Sequence, residues 1–250
     1  MQANSFSYLG ATACLKTIVD THAQSWLSEC QSNPGYRLEA LVMRILDLGC
    51  GSGSDLASWG VVASDEVTGV DIDERRLAAA RLRFPNRTYQ LCPGECLPFP
   101  AASFDRVISS VALPYMNIQK TLSEIRRVLA PGGALSFSLH SLSFTFDELL
   151  HNAFPRPIPM LFRLYVVANG LWFHSTGRTA GFLRSRTESF QTERGMRIAL
   201  HRAGFENLLF SRAVGPAGVR FFVEANCSYG ACLAGRSRRQ DPLHTRATSC

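Results

Sequence analysis

With 250 residues, 46% of them hydrophobic and 18% charged, the chain has the composition of a globular protein, either one large domain or one domain with an insertion. Its start lacks a basic stretch followed by an apolar core, and the most apolar later stretch, residues 158–173, is interrupted by Arg163. The sequence therefore predicts neither a secretory signal nor a membrane span, and it favours a cytoplasmic location.

The net charge of +6 is unevenly distributed, because residues 226–250 hold four arginines against one aspartate. We interpret this segment as a basic, disordered tail. The same charge leaves binding to RNA or to another anionic surface open as an alternative. The eight cysteines are expected to be reduced thiols, and their spacing predicts no structural metal.

Apolar strands alternate with helical stretches through residue 140, which predicts a mostly parallel sheet covered by helices. A helical segment over residues 1–40, with a helix within 5–30, precedes this region. The predicted strands of the region 41–140, which we interpret as the cofactor-binding half of the domain, are 43–48, 67–71, 87–91, 105–110 and 133–139. The helices predicted between them are 73–84 and 117–129, and the Pro and Gly residues at 130–133 are expected to end the second one.

The alternation stops after residue 140. Residues 141–190 are rich in Phe, Leu, Pro and Arg, and we interpret them as a helical cap inserted over the substrate. The cap is predicted to contain helices 146–152 and 159–173 and a loop at 174–183. Residues 191–225 then return to the same domain with helix 191–203 and a hairpin of strands 206–213 and 219–224.

Three glycines at alternate positions, Gly49, Gly51 and Gly53, follow the first predicted strand. Glycine has no Cβ and tolerates unusual dihedral angles, so a ligand can lie against the main chain here. In the dinucleotide-binding motif the third glycine comes one residue later, and a phosphate-binding loop would need a lysine that is absent nearby. The spacing therefore favours a ligand that does not place phosphate groups at this turn.

Asp71 ends the second predicted strand, 20 positions after Gly51. A carboxylate at this place can accept hydrogen bonds from both hydroxyl groups of a ribose, and we expect Asp71 to bind a nucleoside in this way. Asp73 competes for that role, but it opens a predicted helix, where an N-terminal cap explains it.

Four segments resemble, in their order and approximate spacing, the class I S-adenosylmethionine-dependent methyltransferases: ILDLGCGSG (45–53), GVDID (69–73), ECLPFPAASFDRVISS (95–110) and EIRRVLAPGG (124–133). The resemblance is close over 40–140 and looser over 191–224. It implies an α/β, Rossmann-like, doubly wound sheet of seven strands in the order 3-2-1-4-5-7-6, with strand 7 antiparallel. It also implies an enzyme that uses S-adenosylmethionine as its cofactor.

The resemblance implies roles for ten residues. The methionine part of the cofactor would lie along the three glycines with Asp47 near its amino group, the ribose would be held by Asp71, and the transferred methyl group would lie near Ser110. The residues that would contact the adenine are Ile72, Gly94, Glu95 and Cys96. Pro93 stands where the family often has an aspartate, so adenine recognition here would depend on backbone groups or on Glu95.

Methyl transfer needs a general base only when the acceptor arrives protonated. His140, after the fifth strand, and Tyr115, beyond the fourth, are the candidate catalytic residues, although a structural role is open for both. His151 and His174 are expected to be structural or exposed.

The aromatic cap predicts a small or medium, fairly hydrophobic acceptor such as a quinone, lipid, polyketide or aromatic metabolite. The segment ALPYM (112–116) lacks the polar residue and first proline of enzymes that methylate nucleic-acid amino groups, which disfavours a nucleic-acid partner. Alternatives are an RNA or protein methyltransferase that uses the basic tail, a non-catalytic cofactor-binding protein, and a nicotinamide-dependent oxidoreductase, which the glycine spacing disfavours. Peripheral membrane contact and the choice between monomer and homodimer stay open.

Overall fold

The computed structural model describes residues 42–53, 56–140, 157–180, 189–215 and 218–227. Seven strands in these residues form a single sheet with the order β3-β2-β1-β4-β5-β7-β6. The strands are β1 (Arg44–Leu48), β2 (Glu66–Asp71), β3 (Thr88–Leu91), β4 (Phe104–Ser110), β5 (Leu129–His140), β6 (Phe205–Gly215) and β7 (Gly218–Cys227). The α-helices are α1 (Glu74–Arg83), α2 (Ile118–Val128), α3 (Pro157–Thr176) and α4 (Glu193–Arg202).

Strand β7 is antiparallel to both β5 and β6, while β1 to β5 pair in parallel. Strand order and direction together confirm the seven-stranded α/β fold implied by the resemblance. The predicted helix within 5–30, the predicted helix 146–152 and the tail 226–250, apart from its first two residues, lie outside the described residues.

The strand ends agree with the sequence expectation to within a few residues, except at β5. This strand begins at Leu129 instead of 133, and the register shifts so that Leu129 pairs with Phe104 and Ala134 with Arg106. Helix α2 ends at Val128, one residue before its predicted end, and the strand follows directly, so the predicted start of the strand at 133 is wrong. The Pro-Gly-Gly sequence forms an irregularity within the strand, with Gly132 at a φ of +77°.

Polar side chains begin the helices that follow β2 and β4. The Asp73 carboxylate accepts a 2.9 Å hydrogen bond from the backbone N–H of Arg75, which confirms its predicted role as the cap of α1. Asn117 accepts likewise from Lys120 N at 3.1 Å and begins α2. The loops that precede both caps lie at the edge of the sheet where the parallel strands end.

The sheet has two differently covered faces. On one face, Leu46, Val107 and Leu135 form a core with α2 and α4, including Leu122 and Leu200. On the other face, a short 3-10 helix (Leu56–Trp59) packs through Leu56 and Trp59 against Ile45 and Ile108. Asp47 is in register with Ile108, so it belongs to this second face.

Helix α3 is the described part of the predicted cap, and it packs on α4. Glycines make the approach close: a Cβ at Gly195 would lie 2.6 Å from the carbonyl oxygen of Phe173, and the ring of Phe190 covers Gly170. The helix continues to Thr176, so the predicted loop at 174–183 is wrong for its first three residues. Gly177 ends the helix instead, at a φ of +64° with its N–H bonded to the carbonyl of Phe173.

None of the helices in the described ranges combines the length and the apolar run needed to cross a bilayer.

Candidate functional site

The turn after β1 requires glycine at three positions. Gly49, Gly51 and Gly53 have φ values of +70°, +53° and +72°, a region that residues with a Cβ rarely adopt. The turn is tied to the neighbouring strand, because the N–H groups of Gly49 and Cys50 both donate to the carbonyl of Val70. The backbone of the turn therefore has a defined position at the end of the sheet.

The three glycines face different surroundings. A Cβ at Gly49 would lie 2.3 Å from the Cβ of Ala112, and one at Gly53 would lie 3.2 Å from the ring of Phe84. A Cβ at Gly51 would meet nothing within 4 Å. Gly49 and Gly53 are therefore needed for packing within the protein, whereas Gly51 borders open space.

That space is a cavity of about 280 Å³ at the carboxyl ends of β1 and β4. Four of the predicted cofactor residues line it: Asp47, Gly49, Gly51 and Ser110. The sequence reasoning missed four other lining residues, which are Cys50, Ser52, Leu56 and Arg76. Cys50 and Ser52 alternate with the glycines and could have been included for that reason, whereas no local signal points to Leu56 or Arg76.

Asp71 is only 8% exposed and holds the glycine turn from the next strand. One carboxylate oxygen accepts a 2.9 Å hydrogen bond from the N–H of Gly51, and the other accepts one of 2.9 Å from the N–H of Asp73. A carboxylate oxygen has a second lone pair, so each can still accept a hydroxyl group. The structure thus places Asp71 directly beside Gly51, where its carboxylate positions the turn.

The pKa of the Cys50 thiol reflects the electrostatic potential in the cavity. Burial and, after it, the negative charges of Asp47 and Asp71 together raise the pKa of this thiol to about 12. Asp47 is itself 6% exposed. Two nearly buried carboxylates next to one cavity create a negative potential, which favours a cationic ligand.

Ser110 and Tyr115 lie at the end of β4 and in the turn after it. The hydroxyl of Ser110 accepts a 2.8 Å hydrogen bond from the indole N–H of Trp59, a contact between residues 51 positions apart. Tyr115 closes a short 3-10 helix (Leu113–Tyr115) and is 55% exposed. His140 ends β5, the neighbour of β4, and its side chain lies outside the described residues.

The residues expected around an adenine lie along a neighbouring part of the edge. The N–H of Cys92 donates to the carbonyl of Asp71, which fixes the start of the segment that carries them. Ile72 is 75% exposed, whereas Gly94 packs so closely that a Cβ there would lie 2.7 Å from the sulfur of Met116. Glu95 accepts a 2.6 Å hydrogen bond from the N–H of Asn117, so one carboxylate oxygen supports the start of α2.

The structure tests the redox state expected for the cysteines and the structural role expected for His174. Cys50 and Cys92 are free thiols, but Cys96 is disulfide-bonded, so the expectation of eight reduced thiols is wrong at Cys96. His174 hydrogen-bonds through Nδ1 to the hydroxyl of Thr192 at 2.9 Å, in agreement with a structural role. His151 lies outside the described residues.

The arrangement fits S-adenosylmethionine in three respects. The open space at Gly51 admits a ligand next to the main chain. The negative potential suits a ligand that carries a sulfonium and an ammonium group. The carboxylate of Asp71, hydrogen-bonded to the N–H of Gly51, can accept hydrogen bonds from ribose hydroxyl groups. Arg76 is the cation on the wall of the cavity, and it lies 3.5 Å from the carboxylate of Asp73. The described lining contains both signs of charge, and the carboxylate of Asp47 is more deeply buried than Arg76.

Comparison with known proteins agrees with this fit. Residues 46–137 match the model of a family described as a methyltransferase domain. The chain is 32% identical over 174 residues to a demethylmenaquinone methyltransferase of Tropheryma whipplei (strain Twist). The aligned region covers 67% of this chain and 68% of that protein. It is 38% identical over 97 residues to a malonyl-[acyl-carrier protein] O-methyltransferase of Erwinia pyrifoliae, covering 38% of this chain and 37% of the relative.

The fold has solved counterparts of low sequence identity. The crystal structure of a SAM-dependent methyltransferase from Methanosarcina mazei superposes with a TM-score of 0.52 at 22% identity, covering 75% of this chain and 93% of the other. Together with the sequence identity over two thirds of both chains to the Tropheryma enzyme, these matches establish the family. The chain belongs to the class I S-adenosylmethionine-dependent methyltransferases, and it is an enzyme whose methyl donor is S-adenosylmethionine.

Proposed function

We propose that this enzyme methylates a small or medium, fairly hydrophobic acceptor of the quinone, lipid, polyketide or aromatic type. The observation that carries the proposal is the relationship to the Tropheryma demethylmenaquinone methyltransferase, because it extends over two thirds of both chains and therefore beyond the cofactor motifs. The shorter match to a malonyl-[acyl-carrier protein] O-methyltransferase supports an acceptor that is not a nucleic acid.

Helix α3 supports an apolar acceptor. Leu161, Leu164, Leu171 and Trp172 are all exposed large hydrophobic side chains, and their spacing along the helix puts them on one side. The opposite side holds Phe173, which is buried against α4. A run of exposed apolar side chains on one helix is typical of a surface that binds apolar ligands or membranes. The described part of the cap does not line the cofactor cavity, so its position over the acceptor stays a prediction.

We assign the residues of the methyl-transfer region as follows. The bound cofactor supplies an electrophilic methyl group, and the protein contributes alignment and exclusion of water. Ser110 and His140 end adjacent parallel strands, and the turn with Tyr115 follows one of them, so all three belong to one edge of the sheet. We propose that His140 accepts a proton when the acceptor is a phenol or a hydroxyl, and that Tyr115 flanks the acceptor.

Transfer of a labelled methyl group to a panel of acceptors tests the function. The panel contains a short-chain prenylated naphthoquinone, a simple phenol, a malonyl thioester, total RNA and a basic protein. We expect transfer to at least one of the small acceptors and none with Asp71→Ala. Transfer to RNA or protein alone would contradict the proposal and would favour the alternative that uses the basic segment 226–250.

Two variants test the proposed residue roles. His140→Ala should lower kcat and remove the acidic limb of the pH profile near the pKa of histidine, about 6.5, because a base must be unprotonated to act. Tyr115→Phe should change KM more than kcat if the ring only flanks the acceptor. An unaltered pH profile in the histidine variant would show that no proton passes through His140.

We also propose a cytoplasmic location with peripheral membrane contact through the exposed side of α3. Sedimentation with lipid vesicles tests the contact, and Leu164→Asn should reduce the bound fraction. Gel filtration with light scattering distinguishes the monomer from the homodimer.

A further inference from the structure

A second cavity, of about 300 Å³, lies between α2, α4 and the segment that follows α3. None of its lining residues borders the cofactor cavity. Three arginines line it, Arg126 from α2, Arg178 from the segment after α3 and Arg202 from the end of α4. Its volume is near the lower end of the range for pockets that bind small molecules, roughly 300 Å³.

The wall that carries Arg178 is fixed by a glycine. A Cβ at Gly177 would lie 2.8 Å from a side-chain methyl carbon of Ile198 and 2.9 Å from the N–H nitrogen of Ala199, so only glycine lets this segment lie on α4. Arg202 donates a hydrogen bond to the carbonyl of Thr176, the last residue of α3. The segment and α4 are thus held together, and Arg178 and Arg202 border the same space.

The charge of this cavity is not compensated by its described lining, which contains no carboxylate. Each of the two lining helices has one acidic residue, and both are engaged elsewhere. Glu124 on α2 pairs with Arg127 at 2.7 Å, and Glu193 on α4 pairs with Arg197 at 2.8 Å. Within the described part of the chain, neither Arg178 nor Arg202 forms an ion pair.

The side chain of Gln119 also belongs to the lining. The side-chain oxygen of Gln119 accepts a 3.1 Å hydrogen bond from the hydroxyl of Thr179, while its amide nitrogen is buried and has no partner. This nitrogen is covered by protein atoms and is not accessible from the cavity. The hydroxyl of Ser123 is a further polar group of the lining.

The helix dipole accounts for part of this arrangement. Arg126 and Arg202 are in the last turns of α2 and α4, where a cation is favoured. The dipole does not account for Arg178, which lies outside a helix. Guanidinium groups that surround one space are the chemistry that recognises phosphate.

We propose that the cavity between α2, α4 and residues 177–180 binds a small phosphate-bearing anion. The phosphate accepts hydrogen bonds from the guanidinium groups of Arg178 and Arg202, with Arg126 on the third wall, and its charge offsets theirs. This site is separate from methyl transfer, and the proposal does not depend on the identity of the acceptor.

Calorimetric titration with phosphate and with glycerol phosphate tests the site, at constant ionic strength and with S-adenosylmethionine present at saturation. We expect saturable binding with one site per chain. Arg178→Gln should weaken it about tenfold, the loss of one charge-assisted hydrogen bond. Tighter binding of glycerol phosphate than of phosphate would identify the ligand as a phosphate ester, and the reverse order would identify free phosphate.

Two further variants separate a specific site from general attraction to a basic protein. Arg194→Gln removes the same charge from an exposed position of α4 outside the cavity, and it should leave the affinity unchanged. Arg202→Gln removes the second guanidinium group that borders the cavity, and it should weaken binding by a factor similar to that of Arg178→Gln. Absence of saturable binding to the wild-type protein, or equal losses in Arg178→Gln and Arg194→Gln, would overturn the proposal.

Discussion

Replacement of Gly51 by alanine separates cofactor binding from folding. The added Cβ meets no protein atom within 4 Å, so it projects into the cavity that we assign to S-adenosylmethionine. The fold has to accept only the backbone strain of a non-glycine residue at a φ of +53°. We therefore expect a folded protein that does not bind its cofactor with the wild-type affinity.

The size of the effect on stability follows from the backbone. A residue with a Cβ in the left-handed region costs roughly 1–2 kcal/mol, and alanine restricts the unfolded chain by about 0.4–1 kcal/mol in the opposite direction. The free energy of unfolding should therefore fall by about 1 kcal/mol. Gly49→Ala has the same strain and adds a contact of 2.3 Å to the Cβ of Ala112, so it should destabilise by a further 1–3 kcal/mol or so.

Gly60→Ala is the matched control. Gly60 has a φ of +73°, a Cβ there also meets nothing within 4 Å, and it does not line the cavity. Urea unfolding should give similar losses for Gly51→Ala and Gly60→Ala, whereas calorimetry with S-adenosylmethionine should show weakened binding for Gly51→Ala alone, by about tenfold or more. Wild-type affinity in a folded Gly51→Ala protein would refute the placement of the cofactor against this turn.

Three more predictions follow from the same region and from α2. Asp71→Ala should abolish S-adenosylmethionine binding in calorimetry. Asp73→Ala should keep that binding and lower the free energy of unfolding by about 1 kcal/mol, because the α1 cap is lost. Equal losses of affinity in the two variants would contradict their separate roles. Hydrogen bonding to Arg127 holds the pKa of Glu124 below its ordinary value of 4.5, so its stabilising contribution is complete above that pH and is lost as the pH falls through the folded-state pKa. Urea unfolding of Glu124→Gln should therefore show a smaller loss of stability between about pH 6 and about pH 3 than the wild type shows. Because burial raises the pKa of Cys50 to about 12, this thiol should react only slowly with iodoacetamide at pH 8 in the native protein and at its ordinary rate after unfolding. Peptide mass spectrometry would measure both rates, and rapid modification of the native protein would contradict the described burial.

The sequence by itself determined the features that depend on a few neighbouring residues. Three alternate glycines after a strand indicated a turn with unusual dihedral angles, and all three have φ values between +53° and +72°. Asp73 caps α1 because a carboxylate before a helix bonds the N–H groups two and three residues later. The order of the strands followed from the resemblance carried by the four motifs, and the structure confirms it. Such features are encoded locally or in motifs, so distance along the chain does not obscure them.

Tertiary structure alone decided which of these residues meet, and what else joins them. The bond from Trp59 to Ser110 spans 51 positions, and the contact between Glu95 and Asn117 gives a predicted adenine residue a second role at α2. The ends of β5 differed from expectation because the register to β4 shifts around the Pro-Gly-Gly sequence. The cavity with Arg126, Arg178 and Arg202 arises where three segments pack together, and each arginine alone resembles an ordinary surface charge. These contacts depend on register, helix packing and the close approach of glycines, which are set by the whole core and leave no signal in any one stretch of sequence.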